Sequence, residues 1–424
     1  MLELYIHIPF CVRKCNYCDF LSFPAGKEVM ERYVRALEEE IRRTGETVYG
    51  RNGRPGETVY GQNGRPEETV YGQNGRPEEA VYGRAGGGKT EVRPGSAPKI
   101  STVFVGGGTP SVLEPEQIRS LFSCLRESFL LEADAEISME ANPGTLNREK
   151  LSACREAGIN RLSLGLQSAD DGLLQTLGRI HTWEQFLYNY QDARQAGFRN
   201  INIDLMSSLP GQSLENYVKT LETVTALEPE HISSYSLILE EGTPFFASEE
   251  IRRQLPDENT DREMYEKTKE VLHEKGYKRY EISNYAKPGF ACRHNLGYWD
   301  EVPYLGLGLG ASSYYKNARF SNETDIRTYM ENPFVPFLGR NDYECCDEKS
   351  RMEDYMIFGL RKMAGVSLSR FEKEFGTAAE EIYGGVIDRY VGMGLLVLEG
   401  DRLRLTDAGI DVSNRIFEDF LLME

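Results

Sequence analysis

The stretch LELYIHIPFCVRKCNYCDF, residues 2–20, decides how the rest of the chain is interpreted. Its apolar start predicts a β-strand over residues 2–8. Cys11, Cys15 and Cys18 follow directly in the spacing C-x3-C-x2-C. Three thiolates on one loop can hold three irons of a [4Fe–4S] cluster and leave the fourth iron open to another ligand. The alternative is structural zinc, which normally takes four protein ligands, and His7 inside a strand is a poor fourth.

Composition limits the function classes. The chain has 424 residues, which predicts two or three domains, and a net charge of −18, which argues against a general nucleic-acid binder. The N-terminus does not have the pattern of a signal peptide, and no run of 18 apolar residues occurs. We therefore expect a cytoplasmic protein that does not span a membrane, in which the eight cysteines are metal ligands or buried thiols.

Strand and helix patterns alternate along the first 240 residues. Strands are predicted at 2–8, 100–105, 136–140, 161–166, 200–205 and 231–239. Helices are predicted at 29–43, 115–129, 147–157, 183–196 and 213–226, with Thr145 and Ser213 as candidate caps. Nearly continuous apolar strands alternating with helices are typical of parallel α/β folds. The pattern predicts a partial (β/α)6 barrel over residues 1–240.

A repeat interrupts this alternation over residues 46–98. Four copies of an 11-residue unit such as ETVYGQNGRPE occur there, and Tyr49, Tyr60, Tyr71 and Tyr82 mark the period. The units are rich in Gly, Asn, Pro and charge, so they bury too little apolar surface to offset ordering entropy. We expect a flexible or weakly ordered surface insertion without chemistry, with a small β-solenoid-like stack as the alternative.

The pattern changes beyond residue 240. The pattern over residues 241–345 predicts a barrel extension, with a helix at 261–275, a strand at 277–284 and a Gly-rich stretch at 304–313. Residues 346–424 predict a small winged-helix-like α+β domain, with helices at 351–363, 368–375, 379–393 and 408–422 and a hairpin before the last helix. Its acidic character argues against DNA binding.

The motif CVRKCNYCDF, with Tyr17 before the third cysteine, resembles the radical S-adenosylmethionine signature. Together with YIHIPF it resembles the family formed by oxygen-independent coproporphyrinogen III oxidases and the related HemW-type heme chaperones. The resemblance covers the chain outside residues 46–98. It implies that the open iron binds the amino and carboxylate groups of S-adenosylmethionine, and that an electron from the cluster cleaves its C–S bond.

The resemblance also implies residues that contact S-adenosylmethionine near the ends of successive strands, where barrel folds place their sites. Glycines allow close backbone approach, and Gly107, Gly108 and Thr109 follow the second strand. A carboxylate at the end of a strand, such as that of Glu140, can bind an ammonium group or a ribose hydroxyl. The further positions that match the family's cofactor contacts are Tyr5, Tyr17, Glu140, Gln167, Arg179 and Asp204. No catalytic residue is assigned.

Two features bear on the subfamily. The oxidase motif has a further cysteine two positions after the third, where this chain has Phe20. The oxidases also carry an extension before the first strand, which here starts at residue 2. The segment HNLGYW, residues 294–299, resembles an HNxxYW motif of the heme chaperones. His294 is a candidate heme contact, because imidazole ligates heme iron and aromatic rings can stack on a porphyrin.

The favoured hypothesis is a heme chaperone with a [4Fe–4S] cluster, S-adenosylmethionine and heme as ligands. Its expected partners are an electron donor and recipient hemoproteins such as membrane respiratory enzymes, and a homodimer is left open. The rival hypothesis is an oxygen-independent coproporphyrinogen III oxidase of porphyrin biosynthesis, an enzyme that oxidatively decarboxylates its substrate. Phe20 and the HNLGYW segment argue against that activity.

Overall fold

A computed structural model describes residues 1–50 and 97–422. Six strands lie side by side in chain order and are all parallel, each paired with the next. They are β1 (Leu2–Ile8), β2 (Ile100–Gly107), β3 (Leu131–Ala141), β4 (Arg161–Gln167), β5 (Ile201–Ser207) and β6 (His231–Ser236). The predicted α/β fold with a partial (β/α)6 barrel is confirmed.

Helices cover the outer face of this sheet. They are α1 (Lys27–Tyr49), α2 (Pro115–Ser128), α3 (Arg148–Glu156), α4 (Asp171–Leu177), α5 (Trp183–Gln195) and α6 (Leu214–Thr225). Side chains alternate between the two faces of a strand, so Leu4, Ile6 and Ile8 join the helices in the main hydrophobic core. The residues between them, among them Glu3 and His7, point into the barrel.

The extension adds strands to both edges of the sheet. Its strands are β7 (Lys278–Arg279), β8 (Asn284–Ala286), β9 (Tyr304–Leu307), β10 (Ser312–Tyr315), β11 (Ala318–Ser321) and β12 (Asn341–Cys345). Its helices are α7 (Pro244–Ala247), α8 (Glu249–Gln254), α9 (Glu258–Glu274), α10 (Arg293–Trp299) and α11 (Ile326–Glu331). β9 pairs in parallel with β1, and β8 pairs antiparallel with β6, which gives a 12-stranded sheet.

The C-terminal segment forms a second hydrophobic cluster that includes Met356, Phe371 and Ile416. Its elements are α12 (Glu348–Leu360), β13 (Val366–Ser367), α13 (Leu368–Phe375), α14 (Ala379–Gly392), β14 (Leu396–Glu399), β15 (Arg402–Leu405), α15 (Asp407–Asp411) and α16 (Ser413–Glu418). The strands form a separate three-stranded antiparallel sheet. The expected additional C-terminal domain is thus present.

Several expected elements differ in detail. Asn147, rather than Thr145, caps α3 by accepting from the Lys150 amide at 2.8 Å. The strand expected at 277–284 is replaced by β7, a turn and β8, which pair antiparallel. The last helix is interrupted at Val412 and forms α15 and α16.

The insertion begins later than expected. α1 continues to Tyr49, so residues 46–49 of the first repeat are helical. Tyr49 is buried, and its hydroxyl donates to the Pro98 carbonyl at 2.7 Å. The predictions of flexibility or a small solenoid concern residues 51–96, which lie outside the described part of the chain. Within residues 1–50 and 97–422, no helix has the length and apolar character needed to cross a membrane.

Candidate functional site

The cysteine loop between β1 and α1 lies over the carboxyl ends of the barrel strands. Its position is set by backbone contacts: the Asn16 amide donates to the Leu177 carbonyl at 3.0 Å, and the Phe245 amide donates to the Asn16 carbonyl at 3.0 Å. Cys11, Cys15 and Cys18 are partly exposed and border a cavity of about 330 Å³. The loop and the strand ends therefore enclose one pocket.

The Gly-rich turn after β2 is packed against β1. A β-carbon on Gly107, which has φ +110°, would lie 2.5 Å from the His7 ring, and one on Gly108 would lie 2.7 Å from the Phe10 carbonyl oxygen. The Gly107 amide donates to Glu140, and the Gly108 amide donates to the Ile8 carbonyl at 2.9 Å. The glycines thus allow close packing of the cysteine loop, and both amides have partners within the protein.

Thr109, Asn142 and Arg179 form a chain of polar contacts beneath the thiols. The Thr109 hydroxyl accepts from the Asn142 side-chain amide at 2.7 Å and lies 3.4 Å from Cys11 Sγ. Arg179 donates to Asn142 Oδ1 at 2.5 Å and to Cys15 Sγ at 3.6 Å. Its Nε is buried without a hydrogen-bond partner among the described residues. Arg179 therefore places a positive charge beside Cys15 at the wall of the cavity.

Two carboxyl groups lie on the opposite wall. Glu140 Oε2 accepts from the Gly107 amide at 3.1 Å, and Asp204 accepts from Ser163 at 3.0 Å and Asn202 at 2.7 Å. Burial, with a contribution from the Asp204 charge, raises the pKa of Glu140 to about 8, and burial also raises the pKa of Asp204. A cationic ligand suits such a wall, because its charge would lower the pKa of both carboxyl groups and so favour their ionised forms.

Nearly all the predicted contact positions meet at this cavity. Its walls include the three cysteines together with Tyr17, Gly107, Gly108, Thr109, Glu140, Gln167, Arg179 and Asp204. Gln167 has φ +73°, an uncommon backbone conformation that sets its direction at the end of β4. Tyr5 is placed elsewhere: inside the barrel, its hydroxyl donates to His7 Nδ1 at 3.0 Å and its ring stacks on Phe104.

His294 is separated from the cysteine cavity, and its ring is buried among protein groups. It lies on α10, near the amino ends of the strands, and is 1% exposed. Nδ1 contacts the Thr102 hydroxyl at 2.6 Å, and Nε2 contacts the Tyr298 hydroxyl at 2.9 Å. Because both ring nitrogens are occupied and burial lowers its pKa to about 3, the imidazole is a neutral structural group. The expected contact of His294 with heme stays a prediction, and the contacts of the ring favour a structural role instead.

The donor set fits an iron–sulfur cluster better than a single ion. Among the described His, Cys, Asp and Glu residues, no three form a group that could hold one metal ion. A cluster requires only one thiolate per iron, whereas zinc requires four donors around one point. His7 is not free for zinc, since its Nε2 donates to the Leu21 carbonyl at 2.9 Å.

Several cavity residues were not predicted from the sequence. Asn142 and Ser163 line the wall, as do Arg13, Lys14, Met206 and Tyr235. Asn142 could have been found, because it follows Glu140 by two residues and alternation places both on one face of the strand. The contact between Ser163 and Asp204 joins β4 and β5. It depends on how these two strands are aligned with each other, which cannot be predicted from the sequence.

Two family models match separate parts of the chain. Residues 89–224 match the model of the radical SAM superfamily, and residues 346–412 match the model of the HemN C-terminal domain. The superfamily match implies a [4Fe–4S] cluster and S-adenosylmethionine as the class of cofactors.

Two relatives of similar length are both described as heme chaperones. The chain is 34% identical to the heme chaperone HemW of Lactococcus lactis subsp. lactis (strain IL1403), over 99% of this chain and 97% of that protein. It is 33% identical to the heme chaperone HemW of Bacillus subtilis (strain 168), over 99% of each. The solved structure of coproporphyrinogen III oxidase (HemN) from Escherichia coli matches with a TM-score of 0.77 and 22% identity, over 99% of this chain and 90% of that one. At that identity the match shows a shared fold.

Proposed function

The chain belongs to the HemW family of heme chaperones, and on that premise we propose that it binds heme and transfers it to recipient hemoproteins. In this proposal Cys11, Cys15 and Cys18 hold a [4Fe–4S] cluster, and the adjoining cavity binds S-adenosylmethionine. The observation that carries the cofactor assignment is the convergence of three thiols, Arg179 and two carboxyl groups on one cavity.

The cavity offers a complementary group for each charged part of S-adenosylmethionine. Arg179 would pair with the carboxylate, since its Nε is unpartnered among the described residues. Glu140 and Asp204 would face the ammonium and sulfonium charges. When bound, the cluster and S-adenosylmethionine supply one-electron chemistry at the sulfonium. The protein's part is to hold these charges in a partly closed pocket and to limit the access of water.

Phe20 favours heme handling over porphyrinogen oxidation. Phe20 occupies the position at which the oxidase motif has a further cysteine. It borders the cavity, and 62% of its surface is exposed. An apolar ring at this mouth cannot act as a metal ligand or an acid. We propose an electron donor, heme and recipient hemoproteins as partners, and a cytoplasmic location.

The test uses the full chain after anaerobic reconstitution with iron and sulfide. We expect iron and S-adenosylmethionine to bind, heme to bind with a Soret shift, and heme to pass to apomyoglobin as a generic acceptor. Cys15→Ser should lose iron, whereas the exposed Cys345→Ser should keep it. Wild-type protein that binds no heme would overturn the chaperone proposal, and full iron in Cys15→Ser would overturn the cluster assignment. Release of CO2 from coproporphyrinogen III would favour the oxidase.

A further inference from the structure

One side chain beneath the cysteine loop bridges the groups that contact two different thiols. The Thr109 hydroxyl lies 3.4 Å from Cys11 Sγ. Arg179 donates to Cys15 Sγ at 3.6 Å. Asn142 joins both groups, because its Nδ2 donates to the Thr109 hydroxyl at 2.7 Å and its Oδ1 accepts from Arg179 at 2.5 Å. A change at Asn142 would therefore affect the contacts of two of the three thiols.

The arginine fixes which way round the Asn142 amide lies. A guanidinium can only donate hydrogen bonds, so the atom of Asn142 that faces Arg179 must be the oxygen. The NH2 group then faces Thr109, whose oxygen accepts from it and whose proton is free for another acceptor. Cys11 Sγ is within reach of that proton, and a thiolate that binds iron can only accept. Asn142 thus directs the Thr109 proton toward Cys11.

The surroundings of Asn142 hold its side chain in this position. Its backbone amide donates to Ser111 Oγ at 3.2 Å, and its carbonyl accepts from the Thr145 hydroxyl at 2.7 Å. A β-carbon on Gly165 would lie 2.9 Å from Asn142 Oδ1 and 3.1 Å from an Arg179 nitrogen, so the glycine leaves room for their contact. The turn after β3 and the neighbouring strand β4 therefore fix the bridge from both sides.

Hydrogen bonds to the sulfurs of an iron–sulfur cluster affect its reduction potential. One-electron reduction makes a cluster more negative, and donors to the cysteine sulfurs stabilise that charge, which raises the potential. Thr109 and Arg179 are such donors, the first neutral and the second cationic. Asn142 is uncharged and makes its side-chain hydrogen bonds to these donors rather than to a thiol. Its effect on the sulfurs must therefore pass through them.

We propose that Asn142 is a positioning residue that raises the reduction potential of the cluster by orienting two hydrogen-bond donors, Thr109 and Arg179, toward its sulfurs. The proposal rests on the cluster that is part of the proposed function. It adds to that function the means by which the protein makes the cluster accept an electron from its donor more readily.

The test is an anaerobic redox titration of the reconstituted full chain without S-adenosylmethionine, followed by electron paramagnetic resonance. Asn142→Ala removes both side-chain contacts without changing charge. We expect it to disfavour reduction about tenfold at a fixed solution potential, which for a one-electron couple is a shift of about 59 mV to lower potential. Asn259→Ala, at an exposed position on α9, is the matched control and should have the wild-type potential.

Two further variants test the route through Thr109. Thr109→Val removes the hydroxyl at nearly constant volume and should lower the potential by itself. Added to Asn142→Ala, it should lower the potential by much less, because the hydroxyl has already lost its orientation. Asn142→Asp keeps the shape of the side chain and should also lower the potential, because the Thr109 hydroxyl would donate to the new carboxylate instead of to Cys11. Equal shifts by Thr109→Val in both backgrounds would overturn the proposed route.

The outcomes separate this inference from the proposed function. If the wild type takes up no iron, the cluster assignment fails and the inference fails with it. If the wild type holds the cluster and Asn142→Ala has the same potential, the inference alone is wrong, whatever the heme titration gives. A lower unfolding temperature of Asn142→Ala at an unchanged potential would mean that the side chain only stabilises the turn after β3. If Asn142→Ala cannot hold the cluster, the potential of Asn142→Asp decides in its place, and an unchanged value there overturns the inference.

Discussion

Glu140 links ligand binding at the cysteine cavity to pH. Its raised pKa of about 8 means that the free carboxyl carries a proton at pH 7. A bound cation would lower this pKa and release the proton, so affinity should rise as pH increases from about 6 to 8 and level off above that. Calorimetry with S-adenosylmethionine at pH 7, in two buffers of different ionisation enthalpy, measures the released proton.

The variant Glu140→Gln identifies the group that titrates. It should bind S-adenosylmethionine about tenfold more weakly and lose the part of the proton release that belongs to Glu140. The exposed Glu215→Gln on α6 should behave as the wild type. If the release is unchanged in Glu140→Gln, the proton comes from another group, such as the ligand's own ammonium, and the assignment is wrong.

His294 should be important for stability rather than for binding heme iron. Replacement by Ala removes contacts to Thr102 and Tyr298 and opens a space beneath Phe104, whose ring stacks on the imidazole at 5.3 Å. We expect the free energy of unfolding to fall by about 2–4 kcal/mol, measured by urea denaturation. Heme stoichiometry of the folded variant should be unchanged. Loss of heme binding at full stability would restore His294 as a heme contact.

The sequence was more informative about the thiols than about their surroundings. The spacing of Cys11, Cys15 and Cys18 is local, so it can be read directly. Whether His294 meets a ligand depends on where α10 packs against β1 and β2, a tertiary contact that no local pattern encodes. The same residue type in the same motif can therefore be a ligand or a buried structural group.

At the scale of elements, the Gly-rich turn should control the position of the cysteine loop. Gly108→Ala would place a methyl group 2.7 Å from the Phe10 carbonyl oxygen, one residue before Cys11. Because this neighbour is backbone, relief requires the loop to move, at a cost of about 1–3 kcal/mol. We expect reduced iron and sulfide content after anaerobic reconstitution, although no thiol has been changed.

A glycine elsewhere provides the control. Apart from the backbone of its own helix and its chain neighbours, the structure describes no atom within 4 Å of a β-carbon added at Gly384, which lies inside α14. Gly384→Ala should keep normal iron content and gain about 0.5–1 kcal/mol of stability from helix propensity. Normal iron in Gly108→Ala would mean that the loop tolerates the displacement, and that close packing at this turn does not position the cluster.

Helices and strands were predicted correctly where the apolar pattern was strong, and incorrectly where a turn or tertiary packing decided the end of an element. β1 and α13 match their expected residues because apolar repeats and caps define both ends. The segment 277–284 was expected to be one strand, but its end pairs back as a hairpin between β7 and β8. α1 runs beyond its expected end at residue 43, because Val48 and Tyr49 are buried by tertiary packing.

At the scale of the whole molecule, buried hydrogen bonds connect the cysteine cavity to α10. Asn202 donates to Asp204 at 2.7 Å and accepts from His231 Nδ1 at 2.6 Å. His231 Nε2 then accepts from the Tyr280 hydroxyl at 2.8 Å, and Tyr280 accepts from the Cys292 amide at 3.3 Å. Cys292 is the N-cap residue of α10, the helix that carries the HNLGYW segment.

This arrangement predicts that the two ligands help each other to bind. S-adenosylmethionine at Asp204 would order the residues that hold α10, so heme at the HNLGYW segment would meet residues whose ordering cost has already been met. We expect heme affinity to rise by about fivefold with S-adenosylmethionine bound, and S-adenosylmethionine affinity to rise by the same factor with heme bound. Titrating each ligand in the presence and absence of the other measures both factors.

Tyr280→Phe tests whether the hydrogen-bonded chain carries this coupling. The variant removes the hydroxyl between His231 and Cys292, so the two affinities should become independent while each ligand still binds. Tyr188→Phe, at an exposed hydroxyl on α5, should preserve the coupling. Should Tyr280→Phe show the wild-type factor in both directions, the coupling would have to run through packing of the strands, because the hydroxyl would then contribute nothing to it.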